Sequence, residues 1–285
     1  MRSILTLLFC ILAFISQLSC THNTQRLSHE LDPQATAQAP WAVGEIIYRS
    51  REDNIYRSGE FIDINRKFLG ITTQGNYLVQ DFYNVNDLKR TDPYIIMGTH
   101  GETVLSDAPF IEGHYVMWYE NGRKSHEGQY QDGKKQGLWT FWLHNGVKNS
   151  ESPYQDGVMQ GTWINWYDNG VKAAEVQYQD GKMHGLLTWW HDNGVKSSEG
   201  QYQSGERQGL WTFWHDNGEK SRESHYQSGE RQGHWTFWHR NGVKAGEEQY
   251  QDGKAQGLWI LWHDNGTESR RTWFENGREV RREEY

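Results

Sequence analysis

The chain of 285 residues contains 30 glycines and 15 tryptophans and carries a formal net charge of −8 at pH 7. This acidic balance disfavours DNA and RNA as partners, because nucleic-acid binding depends on Lys and Arg side chains that neutralise phosphate charge. The two cysteines, Cys10 and Cys20, lie close to the N-terminus and exclude a disulfide framework across the rest of the chain.

The N-terminus has the pattern of a signal peptide. Arg2 precedes an apolar run over residues 4–15, which is too short to span a bilayer as a helix. We therefore predict a signal peptide over residues 1–19 and export of the remaining chain. Cys10 would be removed with this segment.

Cys20 is a candidate lipidation site. The small residue Ser19 directly before it is typical of a bacterial lipoprotein processing site, although Gln17 stands where such sites usually carry leucine. Lipidation would anchor the protein in a membrane of the bacterial cell envelope, facing the periplasm or the exterior. The alternative is ordinary cleavage nearby, which would leave a soluble periplasmic or secreted protein. Residues 20–40 are polar and lack apolar periodicity, which predicts a lipid-anchored, disordered tether.

Residues 41–110 carry no strict repeat. Apolar runs at residues 77–79 and 94–97 are typical of strands. We expect this region to form an N-terminal β cap, or degenerate repeats, continuous with the segment that follows. A small separate β domain is the alternative.

Residues 111–276 form about seven repeats of a 24-residue unit, followed by a charged C-terminal tail at residues 277–285. A fixed period of this length indicates a stacked array, in which each unit buries its apolar face against its neighbours. One tyrosine of the unit recurs at Tyr130, Tyr154, Tyr178, Tyr202, Tyr226 and Tyr250.

Each repeat is predicted to be one β-hairpin. A turn signal such as Asp132-Gly133 alternates with an Asn-Gly pair such as Asn145-Gly146, which we expect to form a type I′ turn. The runs between the turns are rich in Trp, Phe, Tyr and Thr, which favour strands. The predicted fold is all-β: an elongated, single-sheet antiparallel meander of repeated hairpins, with about fourteen strands in the array, two per repeat.

The frame Asp-Gly-Lys-x-x-Gly-x-Trp-x-x-Trp-x-x-Asn-Gly-x-Lys resembles the MORN repeat, and most closely its bacterial variant in YwqK-type antitoxin components. Departures from the frame include Tyr115 and Leu187 in place of the first Trp, and Glu268 in place of the Lys. The resemblance implies an elongated hairpin ribbon that contacts proteins or membranes, and it implies neither catalysis nor a cofactor.

Two tryptophan positions of the unit form ladders along the array. The first ladder comprises Trp139, Trp163, Trp211, Trp235 and Trp259, and the second comprises Trp118, Trp142, Trp166, Trp190, Trp214, Trp238 and Trp262. Because the positions are three residues apart, a straight strand would direct them to opposite faces. We expect one ladder to form the core and the other an exposed track for a partner. The spacing does not decide between them, and we assign the first ladder to the candidate partner-binding set.

Charged residues repeat with the same period. The lysine ladder adds Lys148, Lys172, Lys196, Lys220 and Lys244 to the candidate partner-binding set. A glutamate ladder follows three residues later. The alternative role for both is a solvated strand surface on which Lys protects the sheet against aggregation.

The residue patterns give no support for a catalytic or metal site. The histidines His191, His215, His239 and His263 repeat at intervals of two strand spacings, roughly 9.6 Å, whereas zinc ligands must each lie about 2.1 Å from the ion. No nucleophile elbow, phosphate-binding glycine loop or paired acid and base is recognisable. We therefore expect no enzyme activity, no metal and no cofactor.

These observations predict a non-enzymatic interaction or scaffold protein of the bacterial envelope that presents an aromatic and charged hairpin surface to a protein partner. That partner would be an envelope protein or a toxin. One alternative is a toxin-neutralising protein, which rests on the family resemblance and which the export signal disfavours. Another is a module that binds glycan or cell wall through the aromatic ladder.

Overall fold

The structure is a computed structural model that describes residues 31–39, 41–52, 62–83, 87–97 and 110–285. In these residues one short helix, α1 (Pro33–Gln38), precedes 21 strands. The predicted signal peptide at residues 1–19 and Cys20 lie outside the described residues. The strands are β1 (Ile46–Glu52), β2 (Ile62–Ile71), β3 (Tyr77–Tyr83), β4 (Tyr94–Ile96), β5 (Ile111–Trp118), β6 (Lys124–Gln131), β7 (Lys134–Trp142), β8 (Lys148–Gln155), β9 (Val158–Met159), β10 (Gly161–Trp166), β11 (Lys172–Gln179), β12 (Lys182–Trp190), β13 (Lys196–Gln203), β14 (Glu206–Trp214), β15 (Lys220–Gln227), β16 (Glu230–Trp238), β17 (Lys244–Gln251), β18 (Lys254–Ala255), β19 (Gly257–Trp262), β20 (Glu268–Glu275) and β21 (Arg278–Glu284).

Strands that follow one another in sequence pair antiparallel, so the chain forms one open sheet with almost no helix. β9 and β10 are two parts of one irregular run that pairs with β8, and β18 and β19 pair with β17 in the same way. The pairing of β4 with β5, through Ile96 and Ile111, joins the strands of the N-terminal region to the array. The predicted all-β hairpin meander is confirmed.

The two turn signals of each repeat form two different turns. At Asp132-Gly133 both φ angles are positive, 51° and 72°, as a type I′ turn requires. At Asn145-Gly146 the glycine alone has a positive φ, and its N–H donates to the Leu143 carbonyl at 2.8 Å. The expected type I′ turn at Asn-Gly is therefore wrong. The Leu143 N–H donates to the Val147 carbonyl at 2.8 Å, which leaves a three-residue loop, the length typical of a type I turn followed by a glycine bulge.

The last Asn-Gly pair stands at the frame position of Asp132-Gly133. Asn276 and Gly277 have positive φ angles of 50° and 81° and form the turn into β21, which pairs with β20. Residues 278–284, expected to be a charged tail, are thus the final strand. Their charged side chains leave an edge that is poorly suited to pairing with another sheet.

Part of the predicted tether is folded. The carboxylate of Asp32 accepts hydrogen bonds from the N–H groups of Gln34 and Ala35 at 2.9 Å, which caps α1, and Pro33 begins the helix. Thr36 accepts a hydrogen bond from the Ile71 N–H at 2.9 Å, so α1 packs against β2. Residues 31–39 therefore extend the N-terminal cap, and residues 20–30 lie outside the described residues.

The apolar side chains of the array collect on one face of the sheet, which we call face A. Face A carries the Tyr of each repeat, the first Trp and the aromatic or aliphatic residue two positions later, such as Tyr202, Trp211 and Phe213. Their rings pack edge to face, tilted or, as for Trp211 and Phe213, stacked, at centroid distances of about 4.4–6.4 Å. A second core, which includes Val79, Tyr94 and Ile96, lies under the N-terminal strands.

A buried polar cluster connects three of the N-terminal strands. The guanidinium of Arg66 on β2 donates to the Asp81 carboxylate on β3 at 2.8 and 3.2 Å, and the Tyr94 hydroxyl on β4 donates to the same carboxylate at 3.0 Å. The Asp81 N–H donates to the Thr91 hydroxyl at 3.0 Å. Because all four residues are buried, each group depends on the others for its hydrogen bonds.

His126 should make the stability of the first repeats depend on pH. Its ring packs on face A between Tyr115 and Phe141, at 5.9 and 5.6 Å, and burial, together with the charges of Lys135 and Arg90, lowers its pKa from 6.5 to about 4. Between these two pH values the His126 imidazole is protonated in the unfolded chain and neutral in the folded chain. Stability is therefore lost as the pH falls from about 6.5 towards about 4, by about 3 kcal/mol in total.

Denaturant titrations across this pH range test that prediction with a matched pair of variants. His126→Ser introduces the residue that other repeats carry at this frame position, as at Ser150 and Ser198. This variant should lose this part of the pH dependence. His225→Ser, at an exposed position, should leave it unchanged. Equal pH dependence in the His126 variant and the parent protein would contradict the prediction.

Candidate interaction surface

The two tryptophan ladders lie on opposite faces of the sheet, and the first ladder is core. Trp139, Trp211 and Trp235 are 0%, 1% and 2% exposed, and Trp163 and Trp259 pack against the same core on face A. The indole N–H of Trp139 donates to the Gln129 carbonyl at 3.2 Å. A partner has no access to the three buried rings, so the assignment of this ladder to partner binding does not fit the structure.

A local irregularity of the sheet explains why these rings are covered. Between the pairs Glu127–Thr140 and Gln129–Gln136 the register shifts, and Gly128 lies opposite the extra residues. A Cβ atom on Gly128 would lie 2.3 Å from the Trp139 ring, so the indole rests directly on the neighbouring backbone. The ammonium of Lys135 lies 4.4 Å from the centre of the Trp139 ring and covers its outer side.

The second ladder lies on the opposite face, which we call face B. There each Trp is half-buried and carries the lysine of the preceding hairpin over its ring, as Lys148 does at 5.3 Å from Trp166 and Lys196 at 5.4 Å from Trp214. Each lysine also pairs with the glutamate three residues later, as Lys148 does with Glu151 at 2.6 Å. The lysines predicted to bind a partner, Lys148, Lys172, Lys196, Lys220 and Lys244, all make this pair of contacts.

Face B also carries a row of exposed leucines, which were not among the site residues predicted from the sequence. Leu138, Leu186, Leu210 and Leu258 are between 37% and 53% exposed. Each lies immediately before the first Trp of its repeat, or before the residue that replaces it. Because successive side chains of a strand point to opposite faces, the buried position on face A predicts an exposed leucine on face B.

A third row lies between the leucine row and the lysine–tryptophan row. It consists of threonines and glutamates that pair across strands, as Thr140 does with Glu127 and Glu151. Face B thus presents three parallel rows across the array, with Thr162 and His234 at the leucine position in two of the repeats.

Comparison with known proteins agrees with this repeating geometry. The family described as MORN repeat variant matches the chain in four consecutive segments, residues 159–180, 183–204, 207–228 and 231–252. The chain contains MORN repeats. Such repeats generally mediate protein or membrane interactions. A search of curated proteins found no match to the chain.

Side chains at both turns tie each MORN repeat to the next. At one edge the amide of Asn193 donates to the Asp216 carbonyl at 2.7 Å, and Nε2 of His191 lies 3.0 Å from the Trp214 carbonyl, so this nitrogen carries the proton. At the other edge the side-chain oxygen of Gln208 accepts from the Ser228 N–H at 2.9 Å. His191, His215 and His239 thus serve as cross-repeat hydrogen-bond donors.

The described parts of the chain contain no group of three or more His, Cys, Asp or Glu side chains placed to hold a metal ion. Among the same residues, no helix has the length and apolar character needed to cross a bilayer.

Proposed function

We propose that the protein is a non-enzymatic interaction protein and that face B is the surface which binds a protein partner. The observation that carries the proposal is the exposed leucine row beside half-buried tryptophans, repeated in register over the array. Exposed apolar side chains that recur along one face mark an interaction surface, and tryptophan is enriched among the residues that dominate interface energetics.

The charges of face B favour a protein partner over a polyanion. Every lysine of the ladder has a glutamate at 2.5–2.6 Å, so the row is close to neutral and offers no continuous positive track for nucleic acid or an anionic surface. The lysines also cover one side of the tryptophan rings, which disfavours sugar stacking on them. Neutral ion pairs around an apolar row are typical of a protein–protein interface, where the polar rim supports an apolar centre.

We further propose that the protein acts in the bacterial envelope, held there by lipid at Cys20. Support comes from the signal-like residues 1–19 and from Ser19 before the cysteine. On this proposal the partner is an envelope protein. Fatty-acid labelling of the full chain and of Cys20→Ala tests the anchor, since label on the parent chain alone is the expected result.

The face B proposal is tested by capture of partners from a cell-envelope extract on the immobilised protein. The variant Leu186→Thr/Leu210→Thr removes two exposed leucines and takes threonine from the same frame position at Thr162. We expect captured partner to fall about tenfold or more, since each leucine lost from an interface costs roughly 1 kcal/mol or more. The control variant Lys182→Gln/Glu206→Gln, at exposed turn residues of the same strands, should capture as much as the parent. Equal capture by the leucine variant would overturn the proposal, and capture of a cytoplasmic toxin from a whole-cell extract would favour the toxin-neutralising alternative.

A further inference from the structure

Three arginines interrupt the repeat on face A. Arg207 on β14, Arg222 on β15 and Arg231 on β16 come from three consecutive strands. Arg207 and Arg231 share a frame position that holds methionine at 159 and 183 and lysine at 135, and Arg222 stands where residues 150 and 198 are serine. Among the described strands, only in β14–β16 do cations at both frame positions meet on adjacent strands. Positive charges at positions that are neutral in neighbouring repeats indicate a local function of this part of the array.

Aromatic rings hold the three guanidinium groups in place. The Arg222 Cζ lies 3.8 Å from the centre of the Phe213 ring and 5.4 Å from that of Trp235. Arg207 lies over Trp211 at 4.5 Å and Arg231 over Trp235 at 4.9 Å. A guanidinium stacked on a ring is limited in its rotation and keeps its N–H groups directed outward in one plane.

Tyrosine hydroxyls hold two of the three arginines more firmly. Nη1 of Arg207 donates to the Tyr226 hydroxyl at 3.0 Å, and Nη1 of Arg231 donates to the Tyr250 hydroxyl at 2.9 Å. Arg222 lies between them and has no such bond. Its Nε is buried without a hydrogen-bond acceptor among the described residues.

The three arginines also differ from the lysines of face B in their pairing with acids. Within the described part of the chain none of them lies within ion-pair distance of an acid, whereas every lysine of face B has a glutamate at 2.5–2.6 Å. Burial lowers the pKa of Arg222, and the positive charges of Arg207 and Arg231 lower it further. Like charges on adjacent strands repel one another, so a bound anion that pairs with the terminal N–H groups of Arg222 would relieve the repulsion.

A carboxylate on the neighbouring strand β17 already lies on this part of face A. Glu248 on β17 accepts a hydrogen bond from the Tyr250 hydroxyl at 2.8 Å, and burial raises the pKa of its carboxyl group. The charges of Arg231 and Arg222 act on this pKa in the opposite direction, but the Glu248 carboxylate is not within ion-pair distance of either guanidinium. A planar carboxylate matches the fork of a guanidinium better than any other common protein group.

We propose that Arg207, Arg222 and Arg231 form a docking site on face A for an acidic segment of a protein partner, in which an Asp or Glu side chain pairs with Arg222. The neighbouring surface suits the rest of such a segment, because Trp189, two strands away at the frame position of Phe213, is 40% exposed and offers an apolar contact. An anionic membrane is a poorer occupant, because lipid-binding surfaces carry clusters of about four to eight Lys or Arg residues and this site has three cations. This site lies on the face opposite the leucine row, so its failure would leave the face B proposal standing.

The test is the anisotropy of a fluorescein-labelled peptide of alternating glutamate and leucine, titrated with the purified protein at low salt. Arg222→Ser, which takes the residue of Ser150 and Ser198, should weaken binding about tenfold, the loss expected for a charged hydrogen bond. Arg270→Ser, at the same frame position in the last hairpin, is the matched control and should bind like the parent. A peptide with glutamine in place of glutamate should bind to none of the proteins.

A second variant and a vesicle-binding assay complete the test. If Arg222→Ser does not fold, the double variant Arg207→Met/Arg231→Met, which takes its residues from Met159 and Met183, carries the test with the same expected loss. Peptide binding that these variants leave unchanged would overturn the proposal. Arg222-dependent binding to phosphatidylserine vesicles without peptide binding would overturn it too, because the site would then serve a lipid surface.

Discussion

Replacing Trp211 with alanine is expected to lower the free energy of unfolding by about 3–5 kcal/mol, the range for loss of a buried aromatic side chain. The same replacement of Trp214, three residues later, should cost about 1 kcal/mol, because that ring is half-buried on face B and loses less contact. The difference arises because Trp211 is 1% exposed, rests on the backbone of Gly200 and donates its indole N–H to the Gln201 carbonyl at 3.3 Å.

Denaturant titration followed by circular dichroism measures both variants against the parent. Because neighbouring repeats support one another, an array can lose stability in stages, and the midpoint and the slope should both be compared. Trp235→Ala should repeat the large loss and Trp238→Ala the small one, which shows whether the effect belongs to the frame position. Equal losses at the two positions of a repeat would mean that the two faces are not assigned correctly.

Asp81→Ala is expected to destabilise the N-terminal strands by about 3–5 kcal/mol, the cost of leaving one partner of a buried ion pair alone. The carboxylate accepts from both Arg66 and Tyr94, and its removal leaves a buried guanidinium and a buried hydroxyl without their acceptor. Since the cluster spans β2, β3 and β4, hydrogen exchange should accelerate in these strands before it does in the central repeats.

A second ion pair in the same region provides the control. Lys67 and Asp87 pair at 2.9 Å with the Asp87 side chain 65% exposed, so Asp87→Ala should cost at most about 1 kcal/mol. Replacing both partners of the buried pair, as Arg66→Met/Asp81→Leu, should recover part of the loss, because no charge is left alone. Exchange in β2–β4 that is as slow in Asp81→Ala as in the parent would show that the cluster does not hold this region together.

The hairpin frame could be read from the sequence because its signals are local. Asp132-Gly133, Asn145-Gly146 and the aromatic runs between them lie within a few residues of one another, and turn chemistry and strand propensity act over such distances. The pattern could not show which tryptophan ladder is core. The bulges at Gly128 and at the Trp142–Lys148 pair decide this, and each depends on the register of a neighbouring strand.

Other features depended on contacts between residues far apart in the chain. Arg66, Asp81 and Tyr94 lie in the non-repeating region, and nothing in their spacing indicated that they meet. The three arginines of face A were visible as departures from the frame, but their lack of acids appears only when the strands are paired. Asp32 followed by Pro33 is a typical helix start in the sequence, although the helix that it begins is only six residues long.

The hydrogen bonds between turns have a consequence for how the chain tolerates changes in length. Asn193 reaches Asp216, 23 residues ahead, and the Gln208 side chain reaches Ser228, 20 residues ahead, so each link depends on the interval to the next repeat and not on its position in the array. Loss or gain of a whole 24-residue unit would shorten or lengthen both faces and leave every other link intact. Loss of a single residue within a strand would turn the buried tryptophans of that hairpin to the solvent and its leucine and lysine side chains to the core. The protein's length is thus free to vary in steps of one hairpin, while its register is not free to vary at all.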